Sequence, residues 1–345
     1  MKWRERLPVL LGLVIVAVVF QALNSNFLSP RNLTNLGLQI AAMATISCGL
    51  VLVLLLGEID LSAGAVSGLC AAVMAVVGLP GPLGLGLALA CGAAIGLLQG
   101  TWITRLGVPS FVVTLAGLLA WQGAQLAVLG STGSLNLTDP FIVALCATFL
   151  PWWAGVIAGA AFAALTRNVV LAVASVVAIA LFNQDRGVPL ALVIVVGVVA
   201  ATDWLVRRTR FGRHVLAVGG NAEAARRAGI SVPRIRVTVF ALASMLAALG
   251  GVLAASRLLA VNQSSGSGDL LLNAIAAAVI GGTSLFGGRG SAWSALSGAI
   301  VIGAISNGMD LLGLASAVKF IVTGAVLLAA VTMDAVARRA PAARR

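Results

Sequence analysis

The chain has 345 residues, of which 60% are hydrophobic and 9% charged, and its mean hydropathy is +1.09. An ordinary soluble domain carries about a quarter charged residues, so this composition excludes a soluble fold and points to a chain embedded in a bilayer. The net charge of +12 would suggest nucleic acid in a soluble protein, but here the basic residues are gathered in three clusters between apolar runs, so no nucleic-acid partner is expected.

A crossing of the bilayer needs about 20 mainly apolar residues. In chain order the apolar stretches run over 7–23, 36–56, 61–79, 82–104, 111–130, 140–165, 169–182, 188–206, 236–256, 270–286, 291–309 and 317–336. The fold class expected is an all-α, polytopic transmembrane helical bundle with about 10–12 spans and one short helix outside the membrane. The stretch 7–23 is long and no small-residue cleavage site follows it, so it reads as helix one. Three segments are irregular candidates: 36–60, interrupted by Gly49 and Gly57; 169–182, which is short; and 270–290, rich in glycine and potentially re-entrant.

The first basic cluster is Lys2, Arg4 and Arg6. The second runs through Arg207, Arg208, Arg210, Arg213, Arg226, Arg227, Arg234 and Arg236, and the third is Arg338, Arg339, Arg344 and Arg345. Cytoplasmic loops collect Lys and Arg, which places both termini and the 207–236 loop inside. Arg31, Arg186, Arg257 and Lys319 then fall at the outer boundary. Cys48, Cys70, Cys91 and Cys146 lie in apolar segments without CxxC spacing and read as buried thiols. Gly92, Gly96 and Gly100 repeat on one helix face, as do Gly155 and Gly159, the pattern by which helix backbones approach closely in lipid. Trp121, Trp152, Trp153 and Trp204 sit near predicted helix ends, where indoles anchor at the interface.

No catalytic or nucleotide chemistry is encoded. A phosphate loop GxxxxGKS/T needs its lysine, and Lys2 and Lys319 do not follow one. His214 stands alone in a basic loop, and no HExxH, GxSxG or metal-spaced acidic pair occurs, so no cofactor or metal is expected. Glu58 and Asp60 read as boundary carboxylates, Asp60 capping a helix that starts at Leu61, with a buried proton relay as the alternative. Asp310 and Lys319 are spaced to pair across the last outer loop.

The long polar interval is 207–236. Within it Gly219 and Gly220 suggest a flexible entry, Asn221 an N-cap, Glu223 a first-turn acid placed for ion pairs with Arg226 and Arg227, and Gly229 a C-cap. The helix between them is too short to be stable alone. The small side chains Ala224, Ala225 and Ala228 offer a face for a protein partner, and the arginines equally suit an anionic lipid surface.

The sequence TRFGRHVLAVGG followed by GGNAEAARRAGI resembles the coupling-helix region of the ribose/xylose-type permeases of bacterial ABC sugar importers. The resemblance continues in order through GEIDLSAGAVSGL at 57–69, TRLGVPSFVVTLAGLL at 104–119, and NAIAAAVIGGTSLFGGRGS at 273–291 with Asn307-Gly308-Met309. FNQDRGVP at 182–189 is more similar to the xylose-type branch. The resemblance implies one permease domain over 1–345 that imports a small sugar, a pentose such as xylose, across the bacterial inner membrane. It also implies that hydrolysis occurs on a separate cytoplasmic ATP-binding subunit, with a periplasmic sugar-binding protein and a second permease subunit, here a homodimer, as further partners. Gly220, Asn221, Glu223, Ala224, Ala225, Arg226 and Gly229 would contact the ATPase. Polar residues within the apolar segments are the candidates for the pathway of a neutral sugar: Gln99, Thr114, Gln122, Gln125, Asn262 and Asn307, and beside them Gln39, Thr45, Ser47, Thr283 and Ser284. Ribose, galactose or inositol as cargo, and an ion-coupled secondary transporter, are the alternatives.

Overall fold

Pro30 begins the most buried helix of the molecule. In the computed structural model, which describes residues 3–166 and 169–339, α1 (Trp3–Leu23) leads into α2 (Pro30–Leu55). Ser29 caps α2 by accepting from the Asn32 amide, and Pro30 occupies the first turn, where its missing N–H costs nothing. Every residue of α2 from Ile40 to Leu55 is buried. Gly49 does not interrupt this helix as expected. A Cβ there would lie 2.7 Å from the Ala243 carbonyl, so its role is to admit a crossing helix. Gly57, at φ +76°, follows the end of α2.

The next helices are α3 (Ala63–Val77), α4 (Gly81–Leu106) and α5 (Ser110–Leu129). Helix α3 begins two residues later than expected, with Ser62 rather than Asp60 at the N-cap position. A 3₁₀ turn (Gly130–Thr132) leads to β1 (Ser134–Asn136), which pairs antiparallel with β4 (Ala260–Asn262), Ser134 opposite Asn262. The stretch 140–165, expected as one crossing, is two helices, α6 (Pro140–Ala147) and α7 (Trp152–Thr166). Between them β2 (Phe149–Leu150) pairs with β3 (Val188–Pro189), and Pro151 disfavours helix for the residue before it. Eight residues of α6 rise only about 12 Å, well short of a bilayer core of about 30 Å.

After α8 (Val169–Asn183) come α9 (Leu190–Arg208), α10 (Arg210–Gly220), α11 (Ala222–Arg227), α12 (Val232–Leu258), α13 (Gly268–Ile280), α14 (Ala292–Leu311) and α15 (Ser316–Arg339). Among the described residues six helices are long and apolar enough to cross a membrane, α2, α4, α5, α9, α12 and α14, and five shorter apolar helical segments accompany them. Helix α13 stops at Ile280 and an irregular segment runs from there to Ser291, in accord with the glycines of 281–290.

Helices α12, α14, α13 and α9 surround α2, which explains how it is buried on all sides. The glycine repeat of α4 lies against the backbone of α12: added Cβ atoms at Gly92 and Gly96 would stand 2.6 and 2.3 Å from the carbonyls of Ser244 and Phe240, and one at Gly100 2.8 Å from the Val237 Cα. This stripe therefore packs inside the chain, replacing hydrophobic driving force with close backbone contact. Gly155 and Gly159 similarly meet Val188 and Ile179. Cys48, Cys70 and Cys146 are buried and all four cysteines are free. Trp152, Trp153 and Trp204 are exposed, but Trp121 packs on the core with its indole N–H buried, so it is no interfacial anchor.

The two ends of the bundle differ in charge. At one, the Asn24 side chain donates to the Leu311 carbonyl and Lys319 pairs with Asp310, so α1 finishes and α15 starts there. At the other, Arg207 donates to Asp203 at 2.8 Å and to the Ser291 hydroxyl at 3.0 Å, joining the end of α9 to the start of α14. The start of α1, the α10–α11 segment and the end of α15 share this second end, which brings together the regions of the three basic clusters. Lys2, Arg344 and Arg345 lie outside the described residues.

Candidate functional site at the basic end

Helix α10 starts where Thr209 accepts from the Gly212 amide at 3.2 Å, and it buries Gly212, Val215 and Val218 toward the bundle. Gly219 and Gly220 are not the flexible entry that the sequence suggests; both belong to the last turn of α10. At Gly219 a Cβ would lie 1.7 Å from the Leu55 carbonyl oxygen and 3.0 Å from the Gly288 nitrogen. That same carbonyl accepts from the Gly288 N–H at 2.9 Å, and Gly287 approaches both Gly219 and Gly57. The end of the central helix, the end of α10 and the 281–291 segment therefore meet backbone to backbone. Gly287 and Gly288 take φ +83° and +72°, and Gly57 +76°, which glycine adopts without steric cost.

Asn221 follows with extended backbone, and its Oδ1 accepts from the Ala224 N–H at 2.9 Å, capping α11. At the far end the Gly229 N–H donates to the Arg226 carbonyl and the Ile230 N–H to the Ala225 carbonyl, both at 3.0 Å, with Gly229 at φ +83°. This is the paired hydrogen-bond pattern of a glycine-terminated helix. Glu223 lies 3.6 Å from Arg226 and 3.4 Å from Arg227. These pairs are exposed and add little to stability; their effect is to fix charge on the surface.

Of the three alanines read as a docking face, Ala225 turns inward and is buried, whereas Ala224 and Ala228 are exposed beside Glu223, Arg226 and Arg227. Gly220 is open as well, with nothing within 4 Å of a Cβ placed there. The first turn of α12 is tied to the core nearby, Arg236 donating to Glu58 at 2.9 Å. Neither residue's partner was apparent in the sequence, since 178 positions separate them. Asp60 accepts from the Ser62 amide at 2.8 Å and hydroxyl at 2.7 Å and is buried. His214 sits half-buried on α10.

The polar residues proposed for a pathway fall into two sets. Gln99 donates to the Ser62 hydroxyl at 2.9 Å; Thr114 donates to the Ser110 carbonyl at 2.9 Å; Gln125 donates to the carbonyls of Asn262 and Ser265 at 2.9 and 3.0 Å. Asn307 exchanges amide hydrogen bonds with Asn32 at 2.7 and 3.1 Å. Thr45 donates back to Ala41, while Ser47 and Thr283 have buried hydroxyls without a partner, and Ser284 accepts from the Phe286 amide. Gln122 is half-buried on α5. Asn262 and Gln39 line a cavity of about 630 Å³ at the end opposite α11.

Comparison with known proteins accords with this architecture. A family described as "Branched-chain amino acid transport system / permease component" matches residues 32–331. The xylose transport system permease protein of Escherichia coli is 35% identical over 96% of this chain and 92% of its own length. The corresponding xylose system protein of Haemophilus influenzae is 34% identical, covering 93% of both. The ribose import permease protein of Bacillus subtilis is 34% identical over 96% of this chain and 92% of its own length. No solved structure matches the chain. With a match running from the start of α2 into α15, the chain belongs to this family of transport-system permease components and is similar within it to the xylose- and ribose-system proteins.

Proposed function

We propose that the chain is the membrane-spanning permease subunit of an ATP-driven importer of a small neutral sugar, with a pentose such as xylose as cargo. The observation that carries the reading is the exposed, doubly capped α11, whose supporting helix α10 is pressed through Gly219 onto the end of the central helix α2. A push on α11 from a partner would reach the most buried helix through backbone contacts with no compliant side chain between. The partner is a separate ATP-binding subunit, which supplies the hydrolysis that this chain lacks the residues to perform. Gly220, Asn221, Glu223, Ala224, Arg226 and Gly229 form the contact, with Ala225 holding the helix from beneath. The basic end then faces the cytoplasm with both termini. A periplasmic sugar-binding protein docks on the opposite end, and two copies of the chain complete the pathway.

The xylose reading is supported by the similarity to xylose-system permease proteins at 34–35% identity. Ribose is the second cargo, because ribose permeases reach 32–34% over the same share of the chain. Reconstitution of the chain with its ATP-binding subunit and sugar-binding protein in proteoliposomes tests both. Xylose accumulation that requires internal or external ATP at the basic end, and exceeds ribose accumulation, is expected. Accumulation driven by a proton gradient without ATP contradicts the reading.

A further inference from the structure

The cavity at the end opposite α11 is lined by six segments: α2, α3 through Gly68, α12, the 262–273 stretch that opens α13, the last turns of α14, and α15. Its volume of about 630 Å³ lies within the range of about 300–1,000 Å³ common for small-molecule sites. Four polar side chains on its walls, Gln39, Asn273, Ser306 and Thr323, are half-buried, and each lies several residues inside its helix rather than at the end. At 1.5 Å per residue Gln39 stands about 14 Å from the start of α2 and Thr323 about 10 Å from the start of α15. None of the four makes a side-chain hydrogen bond to the described residues, in contrast to Gln99, Thr114, Gln125 and Asn307, whose hydrogen bonds are satisfied within the protein.

Uncommitted amides and hydroxyls at that depth are costly unless water or a ligand satisfies them. Each of these groups can also both donate and accept, as the hydroxyls of a polyol do. The charged residues that line the cavity are Arg257, Asp269, Asp310 and Lys319, two of each sign, so they sum to zero; Asp310 and Lys319 are paired with each other. Such a wall has no net preference for an anion or a cation. Met43 and Phe320 contribute apolar surface that suits the C–H face of a ring.

We infer that this cavity is the outward binding station for a single neutral, polyhydroxylated ligand of monosaccharide size, held by Gln39, Asn273, Ser306 and Thr323. The inference rests on the permease reading for the direction of entry, and it names the site within the chain that such a permease would load first.

The test uses the full chain assembled with its ATP-binding subunit and sugar-binding protein in proteoliposomes. Gln39→Leu and Asn273→Leu remove an amide while keeping side-chain bulk. Each is expected to lower D-xylose uptake by about tenfold, the effect of losing about 1.4 kcal/mol of binding. Uptake at the wild-type rate in both variants overturns the inference. Ser306→Cys supplies a readout on the chain alone, with the unsubstituted chain as background for its four native cysteines. A small water-soluble maleimide should modify the introduced thiol, and saturating D-xylose should slow the modification about threefold or more. Absence of that protection overturns the inference even where leucine variants lose hydrolysis together with uptake. A wild-type assembly that neither hydrolyses ATP nor accumulates sugar defeats the permease reading instead, and the thiol protection then decides the cavity independently.

Discussion

Glu58 and Arg236 are 2.9 Å apart and join the segment that follows the central helix α2 to the first turn of α12, next to the short exposed helix α11. Glu58 is largely buried and Arg236 half-buried, and the Arg236 Nε is buried with no partner of its own, so the ion pair compensates for placing a guanidinium there. Glu58→Gln or Arg236→Met alone should destabilise the detergent-solubilised protein by about 1–3 kcal/mol. The double variant should lose less than the sum of the single ones, as measured by a thermal unfolding cycle. Strict additivity would show that the two side chains act independently.

The reciprocal amide pair of Asn32 and Asn307 makes a second pinning point at the opposite end, between α2 and α14, where Asn32 also donates to the Phe27 carbonyl at 2.8 Å. Hydrogen bonds between helices in a membrane contribute about 0.6–2 kcal/mol. Asn32→Ala should cost more than Asn307→Ala, because it abandons two partners rather than one. Unfolding in a graded denaturing detergent would measure the order, and equal losses would contradict it.

Gly219 and Gly220 are neighbours with opposite tolerances. Gly219→Val forces a side chain into the Leu55 carbonyl, whereas Gly220→Ala meets open space. Sugar-stimulated hydrolysis by the assembled transporter should fall about tenfold or more in the first. The second should fold normally, gain up to about 1 kcal/mol of helix stability and lose less of that activity than the first. Equal activity of the two variants would remove the junction from the coupling path.

Asp139 gives a pH-dependent term. Its carboxylate accepts from the Gly81 and Ile142 amides, both at 2.9 Å, and these bonds hold its pKa below the ordinary 3.8. A depressed folded value means that the stabilisation is complete above the ordinary carboxylate pKa and disappears as the pH falls through the folded one. Melting of the wild type should therefore drop more between about pH 6 and about pH 3 than melting of Asp139→Asn. Parallel curves would show that the Asp139 contacts do not distinguish the ionised form.

What could be read from the sequence was local. Asn221, Glu223 and Gly229 serve α11 as expected because caps and i, i+3 or i, i+4 pairs depend on neighbouring residues only. Hydropathy located the apolar segments for a similar reason, since each span must satisfy its own backbone. The rest depended on contacts between distant parts of the chain. Gly219 looked like a hinge because glycine permits both freedom and close approach, and only the position of Leu55 distinguishes them. The break at 148–151 depends on pairing with Val188 and Pro189, some 40 positions away. Gln99 and Gln39 are equivalent as letters, yet one is bonded to Ser62 and the other opens on a cavity assembled from six segments.

The most direct test of the account is co-purification of the chain with a candidate ATP-binding subunit, comparing wild type with an Ala224→Asp, Ala228→Asp variant. Both positions are exposed on α11, and neither contributes to the core, so the variant should keep its melting temperature. The account predicts that the wild type retains the ATP-binding subunit through purification and that the variant loses it while still folded. Equal retention by the two proteins, or no retention of any ATP-binding subunit by the wild type, would contradict the assignment of α11 as the coupling contact.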